Sequence, residues 1–132
     1  MRDMIAFSFL LLLGLQDPQA PFQAGFAEED ITPPKGTPRQ GGNRENRVER
    51  VLDPIFARAA VFERAGEAIG IVQLDLAAIP EAEALAIRSL IEQRCGVKRE
   101  RVLVSATHNH AGPAMMDEAL PRDETYEAEL IV

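Results

Sequence analysis

The alternation of apolar and polar positions changes character along the chain. Ile5 to Leu15, I-A-F-S-F-L-L-L-L-G-L, is a solid apolar block. It has the length of a signal-peptide core and falls short of the roughly 20 apolar residues that a membrane-spanning helix needs. Arg2 precedes it, offset by Asp3, and a cleavage position falls between Ala20 and Ala24. Gln16 to Phe22 is polar, contains prolines, lacks periodicity and is expected to be disordered or removed. Residues 1–24 are therefore read as signal peptide and spacer, with folded structure from Gly25, and the protein is expected to be exported, periplasmic or secreted.

Periodicity begins further on. Lys35 to Arg50 mixes Gly36, Gly41 and Gly42 with Arg39, Arg44, Arg47 and Arg50, a composition unsuited to a core and expected to form a long loop. Phe56 to Phe62 and Ala68 to Leu76 are apolar segments rich in β-branched and small residues, joined by Glu63-Arg64-Ala65-Gly66-Glu67, and they predict a hairpin. Pro80 opens a helical stretch that puts Ala84, Ile87, Leu90 and Ile91 on one face and Glu81, Glu83, Arg88 and Glu92 on the other, with Gly96 as its C-cap. The run Val102-Leu103-Val104 then predicts a buried strand, so a β-helix-β crossover should lay it parallel in the same sheet. The fold class is α/β: a mixed sheet in which a β-hairpin is followed by a β-helix-β crossover. Asp123 to Val132 begins an amphipathic helix without a stop signal, so residues 25–132 read as the N-terminal portion of a larger α/β unit, truncated at the C-terminus.

Composition narrows the function classes. The 132 residues, 46% hydrophobic, suffice for one modest core. A net charge of −7 argues against nucleic-acid binding, which needs a basic surface, and leaves peripheral membrane contact to apolar residues alone. Cys95 is the only cysteine, so it has no disulfide partner within the chain, and it is expected to be a small buried apolar residue.

The chemistry concentrates in Val102 to Pro113, V-L-V-S-A-T-H-N-H-A-G-P, which holds both histidines of the protein, His108 and His110. In extended backbone these project to one side, at the C-terminal end of a core strand, where open α/β sheets place ligands. Neutral imidazoles at this spacing suit a zinc ion, whose catalytic sites take about three protein ligands and a water. Further oxygens could come from Asp75, Asp117, Glu118 or Tyr126, although the sequence does not place them. The competing reading makes both histidines polar loop residues satisfied by backbone or water. Asp75, at the end of the neighbouring strand, either joins the catalytic set, by orienting an imidazole N–H or binding a second ion, or caps the local turn.

The string Thr107-His108-Asn109-His110-Ala111-Gly112-Pro113 resembles the T-H-T-H-S-G-P hallmark of the neutral/alkaline, non-lysosomal ceramidase family. Gly25-Phe26-Ala27 with Asp30-Ile31-Thr32-Pro33-Pro34 is similar to the family's G-x-A-x-x-D-I-T-P-P opening, and Asp53-Pro54-Ile55-Phe56-Ala57-Arg58-Ala59 to its D-P-L-x-A-R-A. Ile71 to Leu76 looks like its strand ending in an aspartate. Asn109 and Ala111 depart from the family's threonine and serine, and Leu52 stands where many members have histidine. The resemblance implies a zinc-dependent hydrolase of a lipid amide, N-acylsphingosine, giving sphingosine and fatty acid. It implies His108 as zinc ligand and His110 as neighbouring catalytic residue, with a further histidine, a glutamate and a tyrosine beyond Val132. Two alternatives stand beside it. An amidohydrolase would carry H-x-H after the first strand of a barrel, whereas here a hairpin and a helix precede it. An exported, non-catalytic metal-binding or structural domain, inactive alone, also fits 132 residues.

Overall fold

The computed structural model describes residues 20–41, 46–116 and 120–131. The apolar block Ile5–Leu15, Gly42 and Arg44 of the arginine-rich loop, and the candidate ligands Asp117 and Glu118 lie outside the described residues. The chain runs β1 (Phe22–Asp30), β2 (Phe56–Arg64), β3 (Glu67–Leu74), α1 (Glu81–Cys95), a short 3₁₀ turn (Arg99–Arg101), β4 (Val102–Ala106) and α2 (Glu124–Ile131). The sheet order is β1-β2-β3-β4, with β1, β2 and β3 antiparallel in sequence and β4 parallel to β3. Hairpin, helix and parallel return strand thus stand where the hydrophobic pattern predicts them.

The hairpin connection is tighter than its polar stretch suggests. Ala65 and Gly66, with φ of 54° and 78°, make a two-residue turn between Arg64 and Glu67. Positive φ at both positions is what a type I′ turn requires, and that turn matches the twist of the strands. Helix α1 starts after Pro80, whose fixed φ suits a helix entry, and ends at Gly96 (φ 73°), whose N–H donates to Glu92 O.

One side of the sheet carries the core. Val61, Gly70 and Val102 share that side, as do Ala57, Leu74 and Ala106 two repeats on. Ile87 of α1 is buried against it with Leu74, Val97, Val102 and Val104, and Ala84 and Ile91 pack alongside. The opposite side is open: Phe62 stacks on Phe22 (centroids 5.9 Å apart) and meets Phe26 edge-on (6.0 Å), and Phe22 and Phe26 remain 66% and 76% exposed. Ile69, Ile71 and Leu103 continue this exposed apolar stripe across β3 and β4.

Four expectations need correction. Strand structure is present from Phe22, ahead of the expected Gly25, because residues 22–24 pair with 62–64 to start a strand whose mixed sequence shows no alternation. Cys95 is exposed: the whole last turn of α1, residues 93–96, runs out from under the cover that buries Ile87. Glu83, assigned to the solvent side of α1, is partly buried because Arg122, just before α2, pairs with it and with Glu127. The arginine-rich loop does contribute to the interior, through Thr37 (2% exposed) and Val48 (9%), because its arms bond each other at Gly36 N to Val48 O and Val48 N to Thr37 O.

Tyr126 ties α2 to the start of the fold. Its hydroxyl donates to Ile31 O at 2.7 Å, and burial, reinforced by the nearby Asp30 charge, pushes its phenol above the ordinary tyrosine range. Tyr126→Phe leaves the Ile31 carbonyl without this donor and is expected to cost about 1–3 kcal/mol. Urea denaturation of the two proteins measures the difference, and an unchanged midpoint would contradict this role.

Candidate active site

The site is built where β3 and β4 end side by side, Leu74 opposite Ala106. Past this point the carbonyls of residues 74–77 keep receiving donors from residues 107–109. Thr107 N donates to Leu74 O (2.9 Å), Asn109 N to Leu76 O (3.0 Å) and Asn109 Nδ2 to Asp75 O (3.4 Å). The His108 ring joins the same series, with Nδ1 2.9 Å from Ala77 O. A carbonyl only accepts, so Nδ1 carries the hydrogen and Nε2 of the neutral ring presents its lone pair.

The histidines converge, though not by strand alternation. The strand stops at Ala106, and His108 takes left-handed backbone (φ 65°). The two rings nevertheless meet edge to face, centroids 4.6 Å apart, with His110 Nε2 3.2 Å from His108 Nε2. His110 Nε2–H is the donor in that contact, because the His108 atom is the acceptor. Both residues are exposed. The turn is held locally by Asn109 Oδ1, which accepts from Ala111 N (2.9 Å), and from outside by the arginine-rich loop. Gln40 N donates to Gly112 O (2.9 Å), and Gly41 (φ 92°) lies so close that a Cβ there would come within 2.5 Å of His110 O.

His108 fits one position of a zinc shell: its Nδ1–H is anchored on a carbonyl, the arrangement common to metal-bound imidazoles, and its Nε2 lone pair meets only the exposed His110 ring. Among the described residues, no group of three or more His, Cys, Asp or Glu side chains could hold a metal ion. Tyr126, offered from sequence as a further ligand, is buried on Ile31 O instead.

Asp75 sits beside the site but does not orient an imidazole; Ala77 O has that task. The Asp75 carboxylate accepts from Phe56 N (3.1 Å) and from Arg58 Nη1 (2.8 Å), and Arg58 also reaches Glu28 (2.8 Å) and covers the Phe56 ring. Burial raises the Asp75 carboxyl, yet the bonds from Arg58, Phe56 and Thr107 outweigh it and hold the group below the ordinary aspartate range. Two family-like motifs thus have structural work to do. In the first, Asp30 Oδ1 accepts from Thr32 N and Thr32 Oγ1 from Ile55 N, which fixes residues 53–55; in the second, Arg58 supplies the partner of Asp75.

A groove of about 820 Å³ borders the H-x-H segment, lined by Arg39, Val51, Leu52 and Ile55 and by Asp75, Thr107 and Asn109. Sequence reasoning missed Ala77, which acts through its main chain and leaves no side-chain signal. It also missed Asn109, although an asparagine two residues before the amide it caps is a recognisable turn signal.

A depressed folded-state pKa means that Asp75 contributes stability above its unfolded value of about 3.9, lost as pH falls through the folded value. Arg58→Met is expected to raise the carboxyl pKa of Asp75 and to shift this acid loss to higher pH. Carbon-13 NMR titration of the side chain reads it directly, and an unmoved titration would show that Arg58 is not the controlling partner.

No family model and no curated protein matches the sequence. Among solved structures, the chain is similar to neutral ceramidase from Pseudomonas aeruginosa, with a TM-score of 0.73 and 26% identity over 85% of this chain and 20% of that one. A ceramidase complexed with C2 gives a TM-score of 0.58 and 28% identity over 72% of this chain and 16% of that one. The chain therefore spans about a fifth of the first relative's length, and within that span its sheet and helices form a ceramidase-like α/β fold.

Proposed function

We propose that this chain carries the H-x-H part of the active site of a zinc-dependent hydrolase acting on a ceramide-like lipid amide. The observation that carries the reading is the His108 ring, anchored through Nδ1–H on Ala77 O with Nε2 turned to His110. His108 Nε2 would hold the ion, and His110 Nε2–H, released from His108, would donate to the substrate carbonyl oxygen as negative charge develops there. When bound, zinc would bring the pKa of a water toward neutrality and polarise the amide carbonyl, the demands of a hydrolysis that water alone barely performs. Asp75 would be a positioning residue: its backbone carbonyl steadies Asn109 between the two histidines, and its carboxylate is locked by Arg58. The remaining ligands would come from residues outside those described here, in keeping with the share of the ceramidase chains that is matched.

A second reading draws on that incomplete shell: an exported domain that binds metal without turnover. The test begins with zinc content and amide hydrolysis of the natural gene product. His108→Ala is expected to abolish both, whereas His110→Ala should keep zinc and lose about 10²–10³-fold in kcat. Equal zinc loss in both variants would overturn the division of roles, and zinc retention without hydrolysis by the unaltered protein would favour the second reading.

Export through the N-terminal apolar block belongs to the same proposal, with contact to a lipid surface through apolar side chains. Among the described residues, no helix is long and apolar enough to cross a membrane. N-terminal sequencing of the extracellular or periplasmic protein is expected to begin between residues 21 and 25, and a start at Met1 would refute cleavage.

A further inference from the structure

The two imidazoles are held by different parts of the fold. His108 hangs from the end of β3 through Ala77 O, whereas the main chain of His110 is met from outside by residues 38–41 of the arginine-rich loop. That stretch is fastened along the segment that follows the histidines. Pro38 O accepts from Ala114 N (2.8 Å), Arg39 bridges to Pro113, Gln40 N donates to Gly112 O (2.9 Å), and Gln40 Oε1 accepts from Met115 N and Met116 N (3.3 and 3.4 Å). Its footing is the buried Thr37, whose hydroxyl donates to Asp123 just before α2 (3.1 Å).

Gly41 ends this ladder, directly against His110. A Cβ on Gly41 would stand 2.5 Å from His110 O and 3.2 Å from His110 Cβ, so either the loop or the histidine would have to give way. Gly36 in the same loop has φ of 99°, close to the 92° of Gly41, yet a Cβ on Gly36 would meet nothing within 4 Å. Both positions favour glycine by conformation, and Gly41 alone of the two favours it by close approach. We infer that Gly41 is a positioning residue: it acts through the His110 main chain and sets where His110 Nε2 stands relative to His108 Nε2, without touching the Ala77 anchor of His108. Its effect on rate rests on the proposed roles of the two histidines, and its effect on ring geometry does not.

The variants G41A and G36A, made in the natural gene product, separate close approach from backbone conformation. With metal removed and both rings neutral, nitrogen-15 correlations to the ring carbon-bound protons read which nitrogen of each imidazole carries the hydrogen, and H110A assigns the His110 signals. G41A is expected to shift the His110 Nε2 signal away from that of a donor to His108 while His108 stays the Nδ1–H tautomer. G36A should leave both rings unchanged. A His110 signal unmoved in G41A, or moved as far in G36A, would overturn the assignment. If G41A does not fold, Q40A decides, because it removes the acceptor of Met115 N and Met116 N without adding an atom; an unmoved His110 signal there would overturn it equally. In the zinc-loaded protein, G41A is expected to keep the metal and lose about 10²-fold in kcat, the scale of a misplacement of about 1 Å. Loss of zinc with the rate would show that Gly41 holds the whole turn and would refute its selective action on His110. A displaced His110 ring with unchanged kcat would instead count against His110 in the hydrolysis and leave the positioning by Gly41 standing.

Discussion

The site depends on a short run of carbonyls, residues 74–77, that goes on accepting hydrogen bonds after the sheet has ended. Thr107, His108 and Asn109 each find their position by donating to it. Left-handed backbone at a non-glycine residue costs about 1–3 kcal/mol. The donations from His108 and Asn109 are worth about 0.5–1.5 kcal/mol each. Three such bonds, one from His108 and two from Asn109, together offset that cost, and the loop packed behind the turn adds to them. Parallel pairing of β3 with β4 makes the arrangement available at all, because it brings both C-terminal strand ends to one edge.

Two-layer packing follows from the same topology. Helix α1 crosses the side of the sheet that carries Leu74, Val102 and Val104, and each such buried side chain contributes about 1.5–3 kcal/mol. The other side offers aromatic and aliphatic residues of the same kind and leaves them in water, from Phe22 on β1 to Leu103 on β4. Outward-facing Phe22 and Phe26 lie on β1, the edge strand of the sheet among the described residues, so apolar surface and a sheet edge coincide there.

Most of the fold was legible because it obeys period. The hairpin, the crossover helix and the return strand each announce themselves by alternation, by a Pro-to-Gly span or by a β-branched run. Strand β1 was not legible: Phe-Gln-Ala-Gly-Phe-Ala-Glu-Glu-Asp is exposed at every position, so burial imposed no pattern on it. Cys95 misled because residue type predicts burial only on average, and the end of a helix can outrun its cover. At the site, the residue types were legible and the geometry was not. His108 and His110 meet, but through a left-handed turn and not through extended spacing. Asp75 was placed beside the right strand end and given the wrong partner, since Arg58, one strand over in β2, claims its carboxylate. A main-chain acceptor such as Ala77 O has no sequence signature of its own.

The contacts of the site also differ in how far along the chain they reach. The carbonyl run and the histidine turn are about 31–34 residues apart, closed by one crossover. The contacts through Gln40 that hold the segment following the turn, at Met115 and Met116, span 75 and 76 residues. Closing a longer loop costs more entropy, and non-local contacts form more slowly. During folding, the histidine pair can therefore assemble with β3, α1 and β4 before the wall of the groove arrives. Loop length alone thus favours closing the imidazole side of the segment before its arginine-lined side.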